Sequence, residues 1–419
     1  MILTYSPAVA RRIAATLFIT QSLGSAALIA NATVNPIVGA RLSGQDAWAG
    51  LPSALLLLGA ASAAYPAGWL MEYAGRRVGL AAGFFVGLTG MLIGGTAILM
   101  HSFPLFLLGL ILIGGARGAV DQSRYAAADA QIPERRAKAI SAVVFAGTIG
   151  AILGPALVAP SGNLLGSLEA NPLAGPMWSG ALLFALSGVL ITALLRPDPR
   201  DIARVIATRQ SETTQDSGPA RSLSEVMRLP DAQLALVAMV FGQVIMVLIM
   251  TVTSLHMHHH DHGLGDVSLV MMAHTMGMFG LSVVNGTLID RVGRKTAIAA
   301  GAILLIVGSL TAPLSLMTAW LALALFIVGL GWNLCYIAGS SLLSDVLAPA
   351  ERARIQGANE LAINLSSAIS SLSSGFILAA LSYGALGLAG AVLSLVPLAL
   401  LVRQGLTQAR VVRGEGVTR

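Results

Sequence analysis

The apolar residues of this chain come in runs of about twenty, and a run of that length leaves few ways to fold. "ALLLLGAASAAYPAGWL" (54–70) and "LALALFIVGLGWNLCYIAGSSLL" (321–343) are two of them. As a helix, about twenty residues cross roughly 30 Å of hydrocarbon, and in lipid each backbone polar group must find its partner within the protein. Only 11% of the 419 residues are charged, against about 25% in a soluble protein, and mean hydropathy is +0.80. These features predict an all-α polytopic membrane protein.

Twelve candidate spans fall at 13–39, 47–70, 79–100, 104–127, 138–160, 177–195, 231–255, 266–289, 295–313, 316–344, 355–381 and 385–402. An even count puts both termini on one side. Arg76/Arg77, Arg135/Arg136/Lys138, the 196–228 segment, Arg291/Arg294/Lys295, Arg352/Arg354 and both tails then share that face, while Arg41 is nearly alone on the other. Excess Lys and Arg mark the cytoplasmic side, so both termini are expected there, in the inner (plasma) membrane of a bacterial cell. The same rule accounts for the net charge of +6 and the pI near 10 without a nucleic-acid partner. Arg11 and Arg12 precede a long apolar segment with no cleavage site, which reads as an uncleaved first span. The single cysteine, Cys335, excludes an intrachain disulfide. The expected organisation is a six-helix bundle at 1–195, a Pro-, Ser- and Thr-rich cytoplasmic linker at 196–230, a second bundle at 231–402 and a cytoplasmic tail at 403–419.

The halves repeat. "GWLMEYAGRRVG" aligns with "GTLIDRVGRKTA", so that Gly68, Glu72, Gly75, Arg76 and Arg77 fall on Gly286, Asp290, Gly293, Arg294 and Lys295, each 218 residues on. "ADAQIPERRAKA" and "SDVLAPAERARI" align Asp129 with Asp345, Pro133 with Pro349 and Arg136 with Arg352, each 216 residues on. On these motifs the whole chain resembles a major facilitator superfamily transporter, most like its twelve-span drug/proton antiporter-type members. The Gly-x-x-x-Asp-Arg-x-Gly-Arg-Arg/Lys loop is that family's signature. The second copy, with Asp290 and Arg291, matches better than the first, which has Glu72 and Tyr73. The resemblance implies two pseudo-symmetric six-helix bundles that alternate access around a central site, with these loops as a cytoplasmic gate. "GTIGAILGP" in span 5 (Gly147, Gly150, Gly154, Pro155) resembles the Gly-x-x-x-Gly-Pro motif of antiporters, without its trailing glycines. Generic close packing explains the same small residues equally well.

Charges inside a membrane are costly and mark function by default. In span 4, Arg117 and Asp121 are spaced i, i+4 for an intrahelical pair. Asp121 is then the candidate proton carrier, with Arg117 modulating it; a permanent structural salt bridge is the competing reading. Glu360 in span 11 is a second candidate. Gln21, Asn31 and Asn35 of span 1, Gln243 of span 7, Asn285 of span 8, and Trp332, Asn333 and Tyr336 of span 10 are candidate cavity walls for a moderately apolar organic molecule. Ordinary interhelical hydrogen bonding is the alternative for each.

Five of the seven histidines crowd into "LHMHHHDHGLGD" (255–266), on the outer face between spans 7 and 8. If span 7 continues helically, His256 stacks with His260 and His258 with His262, and such pairs chelate divalent metals. Three readings stay open: a metal site with His259 and His274 as further ligands, a proton-sensing outer gate, and a solvated loop. No phosphate-cradling or dinucleotide motif is present, so neither an enzyme nor a cofactor is expected. The function expected is proton-coupled export of a small organic or drug-like compound by a monomer whose partners are substrate, protons and the lipid bilayer. The alternatives are a divalent-metal transporter, an importer of a small organic solute and a non-transporting membrane sensor.

Overall fold

In the computed structural model, residues 7–208, 221–347 and 349–412 are described. Residues 209–220 of the linker and 413–419 of the tail lie outside the described residues, as do the side chains of Arg136, Lys138, Arg352 and Arg354. The described residues form helices joined by short turns, with no strand among them. Among the described residues, eleven helices are long and apolar enough to cross a membrane, or twelve if a bent pair, 264–280 with 284–292, counts as one span.

The chain divides into two compact units: residues 1–215 with 254–272, and residues 216–253 with 273–419. The first begins with α1 (Pro7–Ser43), α2 (Leu51–Ala74), α3 (Arg76–Leu99) and α4 (Phe103–Val120). It continues through α5 (Ser123–Asp129), α6 (Pro133–Ser167), α7 (Gly175–Leu194) and the short α8 (Pro199–Thr208). After the single-turn α9 (Leu223–Val226), α10 (Pro230–His259) carries the chain into the second unit and ends in the first. There follow α11 (Leu264–Thr275), a π-helical turn at Met276–Gly280, α12 (Ser282–Val292), α13 (Arg294–Thr311), α14 (Thr318–Val346), α15 (Pro349–Ala380) and α16 (Tyr383–Val412).

The polar residues of the spans mostly satisfy themselves locally. On α1, Thr16, Thr20 and Thr33 donate to the carbonyls of Arg12, Thr16 and Ile29, four residues back, at 2.9–3.0 Å. A hydroxyl bonded in this way needs nothing from lipid. Helix packing in the first unit rests on small residues. Gly150 and Gly154 of α6 lie against the backbone of Ser22 and Ala26 on α1, where any Cβ would collide with those carbonyls. In a membrane such close approach supplies the dispersion energy that holds helices together, because lipid is as apolar as the side chains. Pro155 lies one residue on, inside the uninterrupted α6.

The hairpin 254–272 belongs to the first unit, although it is continuous with helices of the second half. His259 Nε2 lies 3.4 Å from Asp46 Oδ1, and Leu264 packs against Gly162. The second bundle expected at 231–402 is therefore not one contact unit, because contacts made by the histidine hairpin draw it to the other half.

Candidate substrate and coupling site

In the second unit, four residues expected only as separate cavity walls or charges form one connected line. Trp332 on α14 donates its indole N–H to Gln243 Oε1 on α10 at 2.7 Å. Tyr336, one turn along α14, stacks on Trp332 with ring centroids 5.1 Å apart and planes 23° from parallel. The Tyr336 hydroxyl donates to Glu360 Oε1 on α15 at 3.0 Å. Phe279, in the π-helical turn, meets Trp332 edge-on at 5.8 Å. An amide, a stacked aromatic pair and an exposed carboxylate thus run from one helix to the next. Aromatic faces bind flat π-systems, and the polar ends can orient them.

Asn285 and Asn333 brace this site. The π-helical turn interrupts the i→i−4 ladder of the eighth span, and Asn333 Nδ2 donates to the Met278 carbonyl at 2.6 Å. Asn285 Nδ2 donates in turn to Asn333 Oδ1 at 2.6 Å, which completes a buried amide pair across α12 and α14.

In the first unit, Gln21 Oε1 lies 2.5 Å from the Ser123 hydroxyl. Asn31 and Asn35 are fully buried on α1, one turn apart, and their side-chain nitrogens and oxygens have no hydrogen-bond partner. Arg117 and Asp121 do meet, at 3.8 Å, but α4 stops at Val120 and Asp121 sits in the break before α5. Their side chains are 41% and 54% exposed, and 3.8 Å is the long end of ion-pair distance.

The two repeated loops form matching contacts. Arg76 Nε pairs with Asp129 Oδ2 at 2.8 Å, and Arg294 Nε pairs with Asp345 Oδ2 at 3.0 Å. Each partner comes from the other matched loop of its own half. The second copy adds Asp290 to Arg294 at 3.8 Å and Asp231 to Lys295 at 2.7 Å. The first copy is completed by a residue not singled out in the sequence, Asp198 at the start of the linker. Its carboxylate takes the backbone N–H of Arg76 (3.1 Å), Arg77 (3.0 Å) and Arg200 (2.9 Å), which caps the N-terminus of α3. Arg200 donates to the Glu72 and Tyr73 carbonyls, and Arg77 to that of Thr192. The departures Glu72 and Tyr73 matter little here, because it is their backbone that is used.

The i, i+4 pairing of His258 with His262, conditional on span 7 continuing helically, does not arise. α10 ends at His259, so His262 is no longer one helical turn from His258. His260 Nδ1 turns to the His256 carbonyl at 2.8 Å while the two rings meet edge to face. His262 lies 3.9 Å from Asp266. His274 is apart and fully buried, with Nδ1 2.8 Å from the Leu325 carbonyl and Nε2 without a partner. Among the described residues no group of three or more His, Cys, Asp or Glu side chains is placed to hold a metal ion.

The sequence model of the Major Facilitator Superfamily matches residues 13–371 and 234–415. The chain belongs to the Major Facilitator Superfamily. Among its relatives, the uncharacterized MFS-type transporter YdeG of Bacillus subtilis is 38% identical over 381 residues, covering 90% of this chain and 88% of that one. The riboflavin transporter RfnT of Brucella anthropi is 30% identical over 351 residues, covering 84% and 85%. Similar folds include the nucleoside transporter NupG, with a TM-score of 0.70 at 16% identity over 93% of this chain and 98% of that one. The human organic anion transporter MFSD10 superposes with a TM-score of 0.61 at 18% identity, over 94% and 100%. This major facilitator is a non-enzymatic membrane transporter of small molecules, which sets the sensor alternative aside.

Proposed function

We propose that this major facilitator is a monomeric, proton-coupled exporter of a flat, weakly polar organic solute. It works by alternating access in the inner membrane, with both termini cytoplasmic. The line Gln243–Trp332–Tyr336–Glu360 carries the reading. A planar heteroaromatic stacks at the partly exposed Tyr336 end of the Trp332–Tyr336 pair, Trp332 itself being only 8% exposed, and Gln243 orients its polar rim. Glu360 serves as the proton carrier, because its carboxylate accepts from the Tyr336 hydroxyl and its protonation turns a charge-assisted bond into a weaker neutral one. A titratable group bonded to a substrate-binding ring links proton binding to substrate binding, which two-way coupling requires. Asp121, half-exposed and paired with Arg117, is the weaker choice. Riboflavin, for which the relative RfnT is named, carries a flat heteroaromatic ring, beside a polar side chain.

The test is transport by the purified protein in proteoliposomes, with a panel of fluorescent planar heteroaromatics that includes riboflavin. Movement driven by an imposed pH gradient is expected for at least one member. Trp332→Leu should weaken its binding about tenfold, while Glu360→Gln should keep binding and lose gradient-driven movement. If Glu360→Gln still couples, the proton carrier lies elsewhere, and Asp121→Asn is the next variant to measure.

A further inference from the structure

Beside the aromatic pair, the eighth span and α14 meet along a smooth seam. Gly277 of the π-helical turn and Gly329 of α14 face each other, and a Cβ on either would run into the backbone of the opposite helix. Two glycines let the helices approach closely, but they interlock no side chains and leave the register along the seam open. Directional bonds flank the seam on both sides. One turn after Gly329, Asn333 Nδ2 donates to the Met278 carbonyl at 2.6 Å and to the Ser282 hydroxyl at 2.9 Å. One turn before it, the Leu325 carbonyl lies 2.8 Å from His274 Nδ1. A carbonyl only accepts, so Nδ1 carries the hydrogen, and a helical carbonyl has a second lone pair to take it. His274 is 1% exposed, and an imidazole costs more to bury than a leucine. The N–H bond is what a leucine of similar size could not supply.

Register matters here because of Phe279. It sits in the π-helical turn and meets Trp332 edge-on, with centroids 5.8 Å apart and planes at 76°. Each residue advances a helix by about 100°, so a turn that re-forms one residue earlier or later swings Phe279 off Trp332. We infer that His274 is a positioning residue of the substrate site. Its bond to the Leu325 carbonyl, with that of Asn333 to Met278, pins the π-helical turn along the seam and holds Phe279 against Trp332. For its bearing on transport this rests on the aromatic line being the substrate site; the contact itself is testable without substrate.

In the experiment the full chain, in lipid nanodiscs, is labelled with 5-fluorotryptophan, and the Trp332 fluorine resonance is identified by its loss in Trp332→Phe. His274→Leu should shift or broaden that resonance and leave the other four of the five tryptophans in place. His274→Asn should restore it, since Asn has the shape of Leu but an N–H group attached, like Nδ1, at Cγ. Phe279→Leu should shift the resonance too, and in that background His274→Leu should add nothing. Binding of planar heteroaromatics should weaken several-fold in His274→Leu and recover in His274→Asn. The proposal is overturned by an unmoved resonance or unchanged binding in His274→Leu, by a shift that His274→Asn does not reverse, or by an added shift in the Phe279→Leu background. Nitrogen NMR showing the wild-type His274 ring hydrogen on Nε2 alone overturns it as well, and needs no variant to fold. If no planar heteroaromatic binds the wild type, the proposed function fails, while the fluorine resonance still decides what His274 does.

Discussion

Gly75 shows how one residue can have two reasons to be glycine. Its φ of +102° lies where side chains are strained, and the Asp198 carboxylate occupies the space a Cβ would take. Gly293, its counterpart in the repeat, has a similar φ of +88° but open space around it. Alanine at either position meets backbone strain of about 1 kcal/mol or more. Only Gly75→Ala also expels the carboxylate that caps α3, a loss of about 1 kcal/mol further. The apparent Tm in detergent should therefore fall more for Gly75→Ala than for Gly293→Ala. Equal falls would show that the Asp198 cap contributes little. The need for glycine in both loops is visible in the sequence. Asp198 is not, because it reaches Arg76 from 122 residues away.

At the scale of elements, the end of α10 decides what the histidines do. A helix continued to His262 would have set two i, i+4 histidine pairs on roughly opposite faces. It stops at His259 instead, the chain turns with Asp261 at a φ of +62°, and the imidazoles take separate partners. His259 Nε2 and Asp46 Oδ1, 3.4 Å apart, fasten the hairpin to the turn at Asp46–Gly50. Asp46→Asn should lower the hydrogen-exchange protection of residues 254–262 several-fold. Unchanged protection would show that the contact does not hold the hairpin. The eighth span teaches a related lesson. A single apolar run at 266–289 becomes α11, a π-helical turn and α12, and the break is tolerated because Asn333 takes up the Met278 carbonyl it releases.

For the molecule as a whole, the duplicated loops recur as duplicated ion pairs, Arg76 with Asp129 and Arg294 with Asp345. All four side chains are partly exposed, so each pair should contribute about 1 kcal/mol or less. If the repeat is functional as well as structural, Asp129→Asn and Asp345→Asn should each slow transport several-fold with only a small change in apparent Tm. The charge-swapped double variant Arg294→Asp with Asp345→Arg should recover part of the rate. Transport unaffected by either single change would reduce these pairs to loop packing.

The number of spans, their helical character and the two-fold repeat can all be read from the order of residues alone. Each is a property of neighbouring residues: an apolar run of fixed length, a 1.5 Å rise per residue, and a motif with its own internal spacing. The same holds for Arg117 and Asp121, whose i, i+4 spacing brings them together on almost any helix. Which polar groups meet across helices emerges only once the helices are packed. Gln243 and Trp332 are 89 residues apart, and Tyr336 and Glu360 are 24 apart on different helices. Whether such side chains touch depends on how each helix is rotated about its axis and how deeply it packs, which is settled jointly by all the small residues at the contacts. Helical periodicity says little about that rotation when the helix is apolar on every side, and in this chain nearly every span is.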